Sequence, residues 1–187
     1  MIQAMRSLEA VFLIGVEGTT EIWLIRHGDC YEGMAEGPDP TLSPTGRRQA
    51  EKLAERLSHV EHVAVYCSPA RRALETAQLI DPEARIDGRL IEMTFELGDH
   101  GQIVFTEEPA DVVARMTAAI DEIAAAHPGG RVIVVGHAGA IVNYLTDVMR
   151  LEPGQLRILP YYTSVSVVRA LGDRRMVGAL GDTAHLE

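Results

Sequence analysis

The sequence predicts an α/β fold: a three-layer sandwich with a mostly parallel central sheet, helices on both faces and a small cap segment. Three observations lead there. Short β-branched runs alternate with amphipathic helical stretches, tight turns join them, and the last two extended runs flank Gly172-Asp173. Alternation of this kind builds strand–helix–strand units whose strands lie parallel, because the helix carries the chain back across the sheet. The 187 residues fit one domain, large enough to bury a core without disulfide or metal staples.

The elements follow in order. Residues 1–20 are an N-terminal extension that the sequence leaves open; Val11–Val16 has the composition of a strand, and a hairpin, a tail or a misassigned start all fit. Residues 21–187 form the single domain. It begins with Glu21–Ile25, a buried strand that meets a loop at Arg26-His27-Gly28. Ser43 supplies an N-cap and Pro44 a first-turn proline for a helix over Pro44–Leu57, with Ala50, Leu53, Ala54 and Leu57 at helical spacing. Val63–Cys67 is a second buried strand. Ser68-Pro69 repeats the cap-and-proline signal for a helix carrying Ala73, Leu74, Ala77 and Ile80.

Ile86–Ile91 is a weaker extended segment, and residues 92–110 form the cap excursion. A helix over Pro109–Ala126 stops at His127-Pro128-Gly129-Gly130, and Arg131–Val135 is a third buried strand. Gly136–Gly139 turns it into a helix reaching Arg150. Ser164–Ala170 and Arg174–Leu180 alternate as a hairpin at the sheet edge.

Composition narrows the function. Seventeen basic against 27 acidic residues leave a net charge of −10, opposite in sign to the footprint of a nucleic-acid binder. The apolar run Ala10–Val16 is too short to cross a bilayer and lacks a cleavage signal, so no membrane partner is expected and the chain reads as cytoplasmic. Cys30 and Cys67 lie in no CxxC or zinc-like spacing and read as reduced thiols. A monomer and a homodimer fit the sequence equally.

Parallel sheets bind ligands at the carboxyl ends of their strands. Those ends carry Arg26-His27, Arg71 and His137. A guanidinium offers a planar fork of donors matched to phosphate, and an imidazole can donate to phosphate or attack it. The four residues together read as a phosphate pocket. A cysteine-dependent phosphatase needs an arginine six positions after its cysteine, where Cys67 has Ala73 and Cys30 has Glu36. A metallohydrolase built on His27, His137, Asp29 and Glu92 is opposed by Arg26 and Arg71 beside it. No metal and no cofactor are expected.

The motifs Leu24-Ile25-Arg26-His27-Gly28, Leu42-Ser43-Pro44-Thr45-Gly46 with Gln49-Ala50, and Tyr66–Ala73 with Thr76-Ala77 occur in that order. Leu90-Ile91-Glu92 and Val135–Gly139 complete the set. In these the chain resembles the histidine phosphatase superfamily, the phosphoglycerate-mutase-like group, from Ile22 to about Val168. The resemblance implies phosphoryl transfer through a phosphohistidine, with His27 as nucleophile, Arg26, Arg71 and His137 on the phosphoryl oxygens, and Glu92 as proton donor. It departs from the family pattern at Gly33, where a polar residue is usual, and over Phe95–Gly101, which leaves Glu96 and Asp99 as alternative donors.

A small phosphorylated substrate is therefore expected, and hydrolysis of a phosphomonoester is the leading reading. Phosphoglycerate mutase-type transfer is disfavoured because residues 92–114 contain no Lys or Arg to hold a second phosphate. A protein phosphohistidine phosphatase and a non-catalytic phosphate-binding module remain as alternatives. Glu32, Glu36, Asp39 and the acidic cap predict discrimination against leaving groups with extra negative charge. Met93, Phe95, His100, Ile103 and Phe105 are candidates, with the Tyr31–Pro40 loop, to line the mouth.

Overall fold

Alternate residues of the three central strands face opposite sides, and both sides are apolar. On strand β1 (Thr20–Arg26), Ile22 and Leu24 face one core while Ile25 faces the other; on β6 (Arg131–Gly136), Val132 and Val134 oppose Ile133 and Val135. Period-two side chains that are apolar on both faces require a covering layer on each side. Helices α4 (Pro109–Ala126) and α5 (Ala138–Val148) cover the first face through Met116, Ile120, Ile141 and Tyr144. Helices α2 (Pro44–Ser58) and α3 (Arg71–Ile80) cover the second through Leu53, Leu57, Ala73 and Ala77. The result is the three-layer sandwich expected from the sequence.

This computed structural model describes residues 2–30 and 39–187. Its main sheet has six strands in the order β3-β2-β6-β1-β7-β8, where β2 is Ala64–Cys67, β3 Arg85–Ile86, β7 Val165–Leu171 and β8 Arg174–Asp182. Strands β1, β2, β3 and β6 pair in parallel, and β7 and β8 add an antiparallel edge. The cap excursion forms a separate two-stranded hairpin, β4 (Phe95–Leu97) against β5 (Ile103–Phe105). Residues 31–38, Gly33, Glu32 and Glu36 among them, lie outside the described residues. No helix among the described residues is long and apolar enough to cross a membrane.

Two local expectations are corrected. Residues Ile2–Val11 form a helix, α1, and no strand forms over Val11–Val16. The apolar spacing of Ile2, Met5 and Leu8 is helical, and Leu13 and Gly15 adopt positive φ angles of 57° and 68° that break extended pairing. The second correction concerns Ser68, which does not cap α3. That helix starts at Arg71 after Ala70, with no side-chain cap; the Ser68 hydroxyl, two residues before the cap position, accepts from the Ala70 amide at 3.3 Å and from His137, and reaches no amide of the helix. By contrast Ser43 does cap α2, accepting from the Gly46 amide and donating to Asp29.

Gly46 lets α2 approach the loop that follows β1. A Cβ placed there would lie 1.9 Å from the Asp29 carbonyl oxygen, so the backbone itself blocks any side chain. Gly46→Ala is expected to lower unfolding free energy by about 1–3 kcal/mol through forced backbone displacement. Urea titration checks this, and a midpoint unchanged from the wild type would show that the loop yields freely.

Candidate active site

Two parallel strands, β1 and β6, end side by side, with Arg26 in register with Gly136. That register places His27 beside His137, ring centroids 5.1 Å apart, although 110 residues separate them. Both imidazoles are buried, His27 at 5% exposure and His137 at 0%. The His27 amide donates to the Gly136 carbonyl, which continues the strand pairing one step and fixes the spacing.

Hydrogen-bond partners define the His27 tautomer. Nδ1 lies 2.7 Å from the Gly28 carbonyl, which only accepts, so Nδ1 carries the proton. Nε2 then presents a lone pair, and the Arg72 Nε–H donates to it at 3.2 Å. Another Arg72 nitrogen donates to His137 Nδ1 at 3.2 Å, which leaves the His137 Nε2–H to donate to Ser68 Oγ at 2.8 Å. Burial holds the His27 imidazole down to about 3, the nearby Arg72 and Arg26 charges adding to the effect while the Gly28 hydrogen bond opposes it. His137 is held well below the ordinary histidine value, chiefly by burial and then by His27 and the arginines. Both rings are neutral at physiological pH.

The arginine between the histidines is Arg72, which corrects the sequence expectation of Arg71. Helical geometry rotates successive residues by about 100°, so only one of two adjacent arginines in the first turn of α3 faces the strand ends. Arg71 is exposed and its backbone amide donates to Asp39, whereas the Arg72 side chain is mostly buried and pairs with Asp39 at 3.6 Å. Arg26 ends β1, next to His27. Its guanidinium lies over the Tyr162 ring at 3.8 Å and donates to the Pro160 carbonyl at 2.8 Å, while its buried Nε has no hydrogen-bond partner among the described residues. A buried charged donor of this kind is suited to an anionic acceptor.

Glu92 reaches the site from the start of the cap. Its Oε1 accepts from the Met93 and Ala140 amides at 2.8 and 2.9 Å, and Oε2 from the Gly139 amide at 3.1 Å. The carboxylate is thus docked on the first turn of α5, directly after His137, where the helix dipole favours an anion. Glu96 and Asp99 are exposed on the hairpin, and neither shares this placement. Of the proposed mouth residues, Met93 is buried in the core, while Phe95, His100, Ile103 and Phe105 are exposed.

Sequence reading missed three positioning groups. Ser68 orients His137; Thr76 Oγ1 accepts from the Gly28 amide at 3.0 Å and donates to the Arg72 carbonyl; Tyr162 flanks Arg26. Ser68 and Thr76 sat within quoted motifs, so their signal was present, whereas Tyr162 precedes the terminal hairpin without any marking pattern. Among the described residues no group of three or more His, Cys, Asp or Glu is placed to hold a metal ion.

A doubly wound sheet that carries a neutral imidazole flanked by guanidinium groups at its strand ends defines an α/β protein equipped for phosphoryl transfer. Comparison with known proteins shows its family. The chain belongs to the histidine phosphatase superfamily (branch 1), whose model matches residues 22–100 and 95–183. It is 31% identical to phosphoglycerate mutase-like protein 4 of Arabidopsis thaliana, covering 89% of this chain and 87% of that protein. It is 30% identical to the metal-independent phosphoserine phosphatase of the same plant, over 89% and 83% of the two chains. Among solved structures, YhfR of Bacillus stearothermophilus superposes with a TM-score of 0.75 at 27% identity, covering 90% of this chain and all of that one.

The buried histidines generate a pH dependence. A histidine free in the unfolded chain titrates near 6.5, whereas His27 is held at about 3, so between these values the unfolded state binds the extra proton. Stability is fully present above pH 6.5 and falls as the pH drops towards 3; His137 acts in the same direction. The unfolding free energy of His27→Gln is expected to decline less between pH 7 and pH 4.5 than that of the wild type. Parallel denaturant titrations at the two pH values check it, and equal declines would contradict the burial argument.

Proposed function

We propose that this protein hydrolyses phosphomonoesters through a phosphohistidine on His27 Nε2, without a metal ion. The observation that carries the reading is the fixed His27 tautomer, with Nδ1–H held by the Gly28 carbonyl and the Nε2 lone pair turned towards the Arg72 guanidinium. A phosphoryl oxygen is a stronger acceptor than an imidazole nitrogen, so a bound phosphate takes over the Arg72 donors and frees the lone pair to attack phosphorus. The Nε2–P bond forms as the ester P–O bond breaks. Arg26, Arg72 and His137 neutralise the charge spread over the phosphoryl oxygens, which is the main demand of such a transfer.

Glu92 handles the proton. Its Oε1 accepts two amide hydrogens and its Oε2 one, so Oε2 keeps a lone pair that holds a proton when Glu92 starts the cycle as the acid; that proton passes to the leaving alkoxide and leaves the carboxylate. In the second step water attacks phosphorus, the Nε2–P bond breaks, and the water's proton goes to Glu92. Phosphate leaves, and His27 and Glu92 return to their starting states.

Hydrolysis is favoured over mutase chemistry by the cap. Residues 92–114 carry no Lys or Arg, and the next arginine, Arg115, is spent on Glu107 and on the Arg89 and Ile91 carbonyls. Nothing from that segment neutralises a second phosphate. The guanidinium groups facing His27 also oppose a divalent cation there, and the relative named as a metal-independent phosphoserine phosphatase supports the same reading.

Turnover of p-nitrophenyl phosphate and of phosphoserine is expected to persist in EDTA and to disappear in His27→Ala, with an acid-labile phosphoenzyme trapped by rapid quench of the wild type. Phosphate release without any phosphoenzyme, or turnover restored only by added metal, would overturn the mechanism. Interconversion of 2- and 3-phosphoglycerate without net phosphate release would instead establish the mutase reading. A steady-state comparison separates the two arginines: Arg72→Ala should lower kcat/KM by about 10²-fold or more, and Arg71→Ala by less than about threefold.

A further inference from the structure

Arg26 is held in place by a turn, and the turn is held by the far end of the chain. The platform is Pro160–Thr163: Pro160 accepts from Arg26, the Tyr162 ring lies against its guanidinium, and the Thr163 amide donates to the Arg26 carbonyl at 2.9 Å. Thr163 is fully buried with φ at +59°, a left-handed conformation that a β-branched residue adopts only when its surroundings impose it. Its hydroxyl donates to the Tyr162 carbonyl at 2.6 Å and therefore accepts from His185 Nε2 at 3.0 Å.

His185 belongs to a short 3-10 turn, Ala184–Leu186, that follows β8. Arginine only donates, so the Arg56 contact at 3.4 Å makes His185 Nδ1 the acceptor and places the ring proton on Nε2, facing Thr163. Helix α2 anchors this turn from outside the site. Arg56 pairs with Asp182 at 2.5 Å and Lys52 donates to the Leu186 carbonyl at 3.1 Å. A directed chain of donors thus runs from Arg56 through His185 and Thr163 to the Tyr162 carbonyl.

We propose that His185 is a positioning residue for Arg26, acting through Thr163 and the Pro160–Tyr162 turn to set how the guanidinium meets phosphate. The inference rests on the reading of this site as a phosphate site. Neither His185 nor Thr163 side-chain oxygen touches the reacting atoms; their effect passes through the turn. A glutamine at 185 retains an N–H near the position of the imidazole Nε2–H, and an alanine does not.

The test compares His185→Ala with His185→Gln in the full chain, measuring kcat and KM on p-nitrophenyl phosphate and the dissociation constant of inorganic phosphate by calorimetry. His185→Ala is expected to lower kcat/KM about tenfold and to weaken phosphate binding severalfold, because displacing a positioned group costs rate and affinity together. His185→Gln should recover both to within about threefold. Wild-type values in His185→Ala, or a loss in His185→Gln as large as in His185→Ala, would overturn the proposal. Should His185→Ala fail to fold, Thr163→Val against Thr163→Ser carries the same comparison, since only serine keeps the hydroxyl. The phosphate-affinity arm does not need turnover: a wild type that binds phosphate but forms no phosphoenzyme sinks the hydrolytic reading while still deciding the role of His185.

Discussion

The Arg72 guanidinium between two buried imidazoles is the interaction on which the rest of the site depends. A buried cation is costly unless its donors are used, and here the two rings and Asp39 use them. The arrangement works only because both rings are neutral, and they are neutral because they are buried. Burial of the histidines leaves His27 Nε2 with a lone pair and leaves the positive charge of the site on the arginines, which is what the proposed attack on a phosphoryl group needs.

The fold supplies this geometry through registers rather than through any local motif. Parallel pairing of β1 with β6 sets the distance between His27 and His137, and the first turn of α3 lowers Arg72 onto both. Helix α5 begins immediately after His137, so its first amides dock Glu92 within the same site. Strand, turn and helix at each strand end thus contribute one functional group apiece, which is how a sheet with no catalytic residue inside it carries a site along its edge.

Outside that edge the molecule keeps two apolar surfaces. The hairpin β4–β5 exposes Phe95, Leu97, Ile103 and Phe105, and α1 exposes Ile2, Met5 and Leu8. The hairpin starts at Phe95, three residues after Glu92, so its position is tied to the Glu92 carboxylate. Helix α1 precedes the region matched by the family model and is joined to the sheet edge through Arg174, which donates to the Val11 carbonyl at 2.7 Å.

Local sequence determined most of the secondary structure. Capping at Ser43-Pro44, the breaker at His127–Gly130 and the two-faced apolar strands each act within a few residues, and the elements they announce are present. The strand ends marked His27 and His137, whereas Glu92 was singled out only through the family resemblance at Leu90-Ile91-Glu92, with Glu96 and Asp99 left as alternatives. Tertiary structure alone decided between Arg71 and Arg72, because adjacent residues have equal composition and only the rotation of α3 against the sheet separates them. The structure also shows turns over Phe12–Gly15, where composition allowed a strand over Val11–Val16, with Leu13 and Gly15 at positive φ. It also brought His185 to Thr163 and Tyr162 to Arg26, contacts that depend on where the chain returns after the last strand and that no spacing encodes.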